Sequence, residues 1–228
     1  MKISWLSNAP WAQSGYGCQT RLNTERIHSA GHDVKITAFY GLEGGVLNLG
    51  GIPVLGKGRA AYSQDVVALH AADCDIMISL IDAWVCEPQW YPKVRWVPWF
   101  PIDSEPLSPA ILFRIEKAYH RIVMSKFGAE MMDNAGLDYS YIPHGIETQV
   151  FKPMDKNEAL EITGLPKDKF IVGMVAANKG APSRKAFTQQ IEAFSLLKKK
   201  HGDAVMYIHT CTAEHGEGGG VKDRKSVV

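Results

Sequence analysis

No run of about 18 apolar residues occurs anywhere in the chain, so nothing in it reads as a membrane-spanning helix. The opening Met1-Lys2-Ile3-Ser4-Trp5-Leu6 is too short and too weakly charged for a signal peptide, and it fits a first β-strand better. Cysteine is scarce: Cys18, Cys74, Cys86 and Cys211 stand far apart with no C-x-x-C pair, which excludes a disulfide framework and suits thiols in a reducing compartment. Charge of one sign is lacking too. A formal net charge of +1 provides no global field toward nucleic acid or an anionic membrane, so any bound anion needs a local constellation. No repeat of fixed period is visible. These absences leave a soluble globular protein, expected in the cytoplasm, with no nucleic-acid partner and no integral membrane segment.

What is present is an alternation of strand-length apolar runs with helical patterns, the pattern of a parallel sheet covered by helices. Strands are expected at 3–6, 34–40, 75–80, 94–100, 122–125 and 139–143, with helices at 18–30, 63–72, 109–120 and 126–135. In the first helix Cys18, Leu22 and Ile27 fall near one face, and Gly31 marks its end. The glycine-rich stretch 41–58 carries two short apolar runs around Gly50-Gly51 and reads as a β-hairpin or loop excursion rather than a linker. A change of style at Phe151-Lys152-Pro153 marks an inter-domain link. A second unit then offers strands at 170–176 and 205–209 around an amphipathic helix, 185–200, with Phe187, Ile191, Phe194 and Leu197 at helical spacing. The expected organisation is α/β. A Rossmann-like domain spans 1–150, an incomplete second Rossmann-like unit spans 151–212, and a glycine- and charge-rich flexible tail spans 213–228.

Three places could carry chemistry. The loop after strand one ends in Gly15-Tyr16-Gly17 at a helix start, where backbone N–H groups and the helix dipole can receive a phosphate. A tight turn needing glycine explains the same residues. It is not the dinucleotide fingerprint, because Thr20 stands where the third glycine belongs and strand two ends without a ribose-binding acid. The turn before the amphipathic helix holds Lys179, Arg184 and Lys185. Cations at a helix N-terminus oppose the dipole, which favours an anion site over a merely solvated loop. Third, Asp82, Asp103 and His144 each follow the C-terminal end of a strand, where open α/β sheets bind ligands. The carboxylates can bind hydroxyls, act as bases or cap helices, and the histidine can equally be structural. Ser108 before Pro109 reads as a helix cap. His209, Cys211 and His215 match no standard metal spacing, so no metal site is expected.

In order and spacing, several segments resemble glycosyltransferase family 4: Ser14-Gly15-Tyr16-Gly17, Ala30-Gly31-His32-Asp33-Val34, Ile122-Val123-Met124-Ser125-Lys126-Phe127-Gly128 and Tyr141-Ile142-Pro143-His144-Gly145-Ile146-Glu147, followed by Val172-Gly173-Met174-Val175-Ala176, Arg184-Lys185 and Ile191-Glu192-Ala193-Phe194. The resemblance covers about residues 1 to 210 and implies a B-type fold. It implies sugar transfer from a nucleotide-sugar to an unknown acceptor, retaining and metal-independent, with no cofactor besides the donor. Arg184 and Lys185 would neutralise the diphosphate, aided by Gly15 and Gly17, with Tyr16 and Asp82 on the acceptor side and Asp103 and His144 as catalytic candidates. Two departures stand out. The family's arginine often ends the second domain's first strand, where Ala177-Asn178 stand here, and an acceptor-side histidine is replaced within Pro101-Ile102-Asp103. The family's Glu-rich donor motif would lie beyond residue 228. A small second unit with a strongly apolar residue set is therefore expected to self-associate. A non-catalytic remnant of such a fold is the alternative.

Overall fold

The computed structural model describes residues 1–86, 94–178 and 185–210, and the backbone of 224–227. The chain divides into two compact units, Met1–Thr148 and Gln149–Val228.

The first unit is built on β1 (Lys2–Asn8), β2 (Asp33–Tyr40), β3 (Val46–Leu49), β4 (Ile52–Leu55), β5 (Ile76–Leu80), β6 (Trp96–Phe100), β7 (Ile122–Val123) and β8 (Ser140–Tyr141). The sheet order is β3-β4-β2-β1-β5-β6-β7-β8. All neighbours run parallel except the β3–β4 hairpin, where Gly50 and Gly51 turn with φ of +57° and +97°. The chain leaves β1 toward β2 and β4, then returns to β1's other side as β5. The carboxyl ends of β1 and β5 therefore flank a topological switch point, where open α/β sheets hold their ligands.

One core layer gathers Leu6, Met77, Trp96, Phe100, Ile115 and Met132; the other gathers Trp5, Ile36, Val54, Leu80 and Trp99. Helix α1 (Gly15–Ser29) packs on β1 with an unusual face. Its buried residues are Gly17, Gln19, Thr20 and Thr24, whereas Cys18 is exposed and Leu22 and Ile27 are only half-buried. The expected apolar stripe thus gives way to small polar residues, each internally satisfied. Thr20 Oγ1 donates to Tyr16 O at 2.8 Å, Thr24 Oγ1 donates to Thr20 O at 2.7 Å, and Trp5 Nε1 donates to Thr20 Oγ1 at 3.2 Å. Burying hydroxyls costs little once they are paired.

Several elements are shorter than their patterns suggest. Helix α2 covers only Val67–His70, and α3 (Pro109–Ile115) stops early. Buried Arg121 donates through Nε to Ile115 O at 2.8 Å and through an η nitrogen to Glu116 O, which satisfies carbonyls that a continuing helix would have used. Ser108 makes no side-chain cap to α3. Helix α4 (Lys126–Asn134) is capped by Ser125, whose Oγ accepts from Gly128 N at 2.9 Å.

The second unit carries α5 (Lys156–Thr163), β9 (Phe170–Val175), α6 (Phe187–Lys200), β10 (Ala204–Thr210) and β11 (Arg224–Val227). Its sheet order is β11-β10-β9, with β9 and β10 parallel and β11 antiparallel to β10. The expected flexible tail thus contains a strand in its described part, which occupies the backbone edge that β10 would otherwise leave open. Met174, Phe187, Phe194, Met206 and Ile208 form the core. Ile191, expected on the buried face of α6, is 46% exposed, and Phe170 and Val175 are exposed too. Among the described residues, burial in this unit falls on one sheet face, one stripe of α6 and Leu160 of α5.

Candidate functional site

The loop leaving β1 is organised by hydrogen bonds before it is organised by glycine. Asn8 Nδ2 donates to Ser14 Oγ at 2.6 Å, and Ser14 Oγ accepts from Gly17 N at 3.0 Å as the cap of α1. The amide of Gly17 is thereby committed to Ser14. The amides of Gly15 and Tyr16 lie in the first turn, where no carbonyl of the helix lies one turn back to accept them. Gly17 is required by close packing: a Cβ there would lie 2.2 Å from Ala12 O. At Gly15 a Cβ would meet nothing within 4 Å.

This loop brings Tyr16 against Asp82, which follows β5. The phenol lies beside the Asp82 carboxylate. Burial first, and then the neighbouring Asp82 carboxylate, push the Tyr16 phenol well above its ordinary range, so it stays a protonated donor. The pair lies at the switch point, and Ser7 Oγ donates to Leu80 O at 2.8 Å, tying the ends of β1 and β5 together. Two residues far apart in sequence thus meet where the topology places a ligand.

His144 follows β8 and stands edge-on to Trp99 of β6, with ring centroids 4.9 Å apart. Trp99 Nε1 donates to Ile142 O at 3.0 Å and so holds the segment. On the other side Gln19 Nε2 donates to Gly145 O at 2.7 Å, and Arg26 pairs with Glu147. His144 Nε2 is buried without a hydrogen-bond partner, as is Oδ1 of Asn8, a residue only 7% exposed. Polar atoms buried and unpaired in this way are candidates for ligand contact.

Burial pushes the His144 imidazole below its ordinary value, so it is neutral at pH 7. Protonation is then easier in the unfolded chain, and the native state loses relative stability as pH falls through about 6.5. Burial and then Lys35 shift His70 the same way. We expect His144→Gln to flatten the acid limb of a melting-temperature profile and to remove one low-midpoint imidazole from an NMR titration. A His144 midpoint above the ordinary value would contradict this.

Asp103 is exposed in the segment after β6, and no hydrogen bond joins it to the Tyr16–Asp82 pair. Lys185 belongs to the second unit, exposed at the turn before α6, where Ala186 adopts a left-handed φ of +52° and Gln190 Nε2 donates to Lys185 O at 2.9 Å. Arg184, Cys211 and His215 lie outside the described residues. Among the described residues no group of three His, Cys, Asp or Glu could hold a metal ion, and no helix is long and apolar enough to cross a membrane. The sequence reading assigns no role to Asn8, Gln19 and Trp99, and it names Ser14 only within the glycine-loop segment. Asn8 could have been found, since it ends a strand at the same sheet edge as Asp82. Gln19 could not, because its partner is a backbone carbonyl on a distant loop.

No protein-family model and no curated protein matches the chain. A solved structure does: trehalose-6-phosphate synthase from E. coli bound with UDP-2-fluoro glucose, at a TM-score of 0.58 and 13% identity. The match covers 94% of this chain and 65% of that one. At this identity the likeness is one of fold, and the fold is that of B-type glycosyltransferases.

Proposed function

We propose that the protein takes part in glycosyl transfer from a nucleotide-sugar to an acceptor held by the first unit, in the manner of family 4, with retention and without a metal. The observation that carries this reading is the Tyr16–Asp82 pair at the switch point of a parallel sheet. Support comes from the fold shared with a UDP-sugar-bound structure. In such a transfer the bond from the anomeric carbon to the diphosphate breaks with its electron pair leaving on phosphate oxygen. The acceptor hydroxyl bonds the same carbon on the same face and gives its proton to the departing phosphate oxygen. Asp82 can orient that hydroxyl by accepting its hydrogen bond. Arg184 and Lys185 would offset the charge developing on the diphosphate, the kind of electrostatic help that often dominates such steps.

Isothermal titration with uridine, guanosine and adenosine diphosphates and their glucose conjugates tests the donor half. Binding of at least one is expected, weakened by about 1.5–3 kcal/mol in Lys185→Ala or Arg184→Ala through loss of a charge-assisted hydrogen bond. Unchanged affinity in both variants would remove the phosphate role. Absence of binding to every nucleotide would favour a non-catalytic remnant of the fold.

A further inference from the structure

The switch point has a second wall that the glycine loop does not explain. Immediately after Asp82 the chain makes a single 3-10 turn, Ala83–Val85. Ala83 and Val85 are buried, which roots the turn in the core, while Trp84 between them is 54% exposed. Scattered exposed aromatics are ordinary on protein surfaces. This one is braced. Its ring stands edge-on to Tyr62, with centroids 6.4 Å apart, and Tyr62 stands edge-on to Phe39 of β2 at 5.6 Å. A ring in contact with a second ring that is itself packed on a third is restrained in orientation and loses little further freedom when a ligand lies on it.

The two walls belong to opposite layers. Tyr16 packs with the core layer of Trp5 and Trp99, whereas Phe39 and Tyr62 pack with the layer of Leu6 and Phe100. Asp82, at the carboxyl end of β5, neighbours the phenol of one layer and precedes by two residues the indole that packs on Tyr62 of the other. We propose that Trp84, with Asp82 and Tyr16, forms a carbohydrate-binding shelf that takes the pyranose ring of a neutral sugar, and that this ring belongs to the acceptor. The chemistry selects that class. A pyranose has a face of C–H groups that can lie against an indole and an edge of hydroxyls that can donate to Asp82. Tyr16 remains a protonated donor for a ring or hydroxyl oxygen. The negative charge of Asp82 disfavours a phosphate on the same spot. An alkyl chain would leave the carboxylate unpaired.

The assignment as acceptor rests on the glycosyl-transfer reading above, while the binding itself does not. The test is saturation-transfer NMR on the full chain with the methyl glycosides of glucose, galactose and mannose, and with uridine as the flat aromatic competitor. At least one glycoside is expected to receive magnetisation at its ring C–H protons, with affinity reduced about tenfold in Trp84→Ala and largely kept in Trp84→Phe. Asp82→Asn should weaken the same glycoside. Trp84 is solvent-facing, so its replacement leaves the core intact. Failure of every glycoside to bind the wild type, or equal binding by Trp84→Ala, overturns the shelf. So does uridine binding that depends on Trp84 while no glycoside does. If glycosides bind through Trp84 but no nucleotide or nucleotide-sugar binds anywhere, the shelf stands and the transferase reading falls.

Discussion

Gly17→Ala is expected to destabilise the first unit by about 3 kcal/mol, while Gly15→Ala, two residues away, leaves stability unchanged or raises it by up to about 1 kcal/mol. The contrast follows from what each Cβ would meet. At Gly17 it would lie 2.2 Å from Ala12 O and 3.0 Å from Ala9 O, both backbone atoms that cannot swing aside. Relief would require α1 to lift from the β1 loop, breaking the Ser14 cap and withdrawing Tyr16 from Asp82. At Gly15 the added methyl meets open space, and alanine lowers the entropy of the unfolded chain. Urea unfolding of the two variants side by side decides the matter. Equal midpoints would show that the loop tolerates bulk, and that its glycines serve ligand approach rather than packing.

Trp5→Ala should be the most damaging of the substitutions considered, at about 3–5 kcal/mol. Trp5 is among the largest fully buried side chains, standing in the central strand and edge-on to Trp99 with centroids 6.2 Å apart. Its indole N–H is also the bond from the sheet to Thr20 at the polar face of α1. Truncation therefore opens a cavity, removes an anchor of α1 and loosens Trp99, on which His144 rests. Trp5→Phe keeps much of the volume and loses the hydrogen bond, so it separates the two contributions. If calorimetry places Trp5→Ala within 1 kcal/mol of wild type, the polar face of α1 is not held as described.

The alternation of parallel strands and helices, the hairpin around Gly50-Gly51 and the stop at Gly31 were readable from residue type and spacing. Each is a local property: period, β-branching, or a left-handed φ that glycine adopts cheaply. The same local reasoning put candidate residues at the carboxyl ends of strands, because the ligand edge of an open α/β sheet follows from chain direction alone. It failed where distant partners decide. Helix α1 buries threonines rather than its apolar residues because Trp5 and the helix's own carbonyls satisfy them. Helix α3 ends at Ile115 because Arg121 takes its last carbonyls. Ile191 stays exposed because, among the described residues, one side of α6 packs against the second unit's sheet and Ile191 lies off it.

Sequence alone determined the class of fold and the edge of the sheet at which chemistry belongs, since both are set by hydrophobic period and strand direction. Tertiary structure alone decided that Tyr16 meets Asp82, that Trp84 is braced by Tyr62 and Phe39, and that His144 leans on Trp99 under the hold of Gln19. Those contacts join residues separated by whole strands and helices. They exist because the chain crosses back over β1 to lay down β5, which no local pattern encodes.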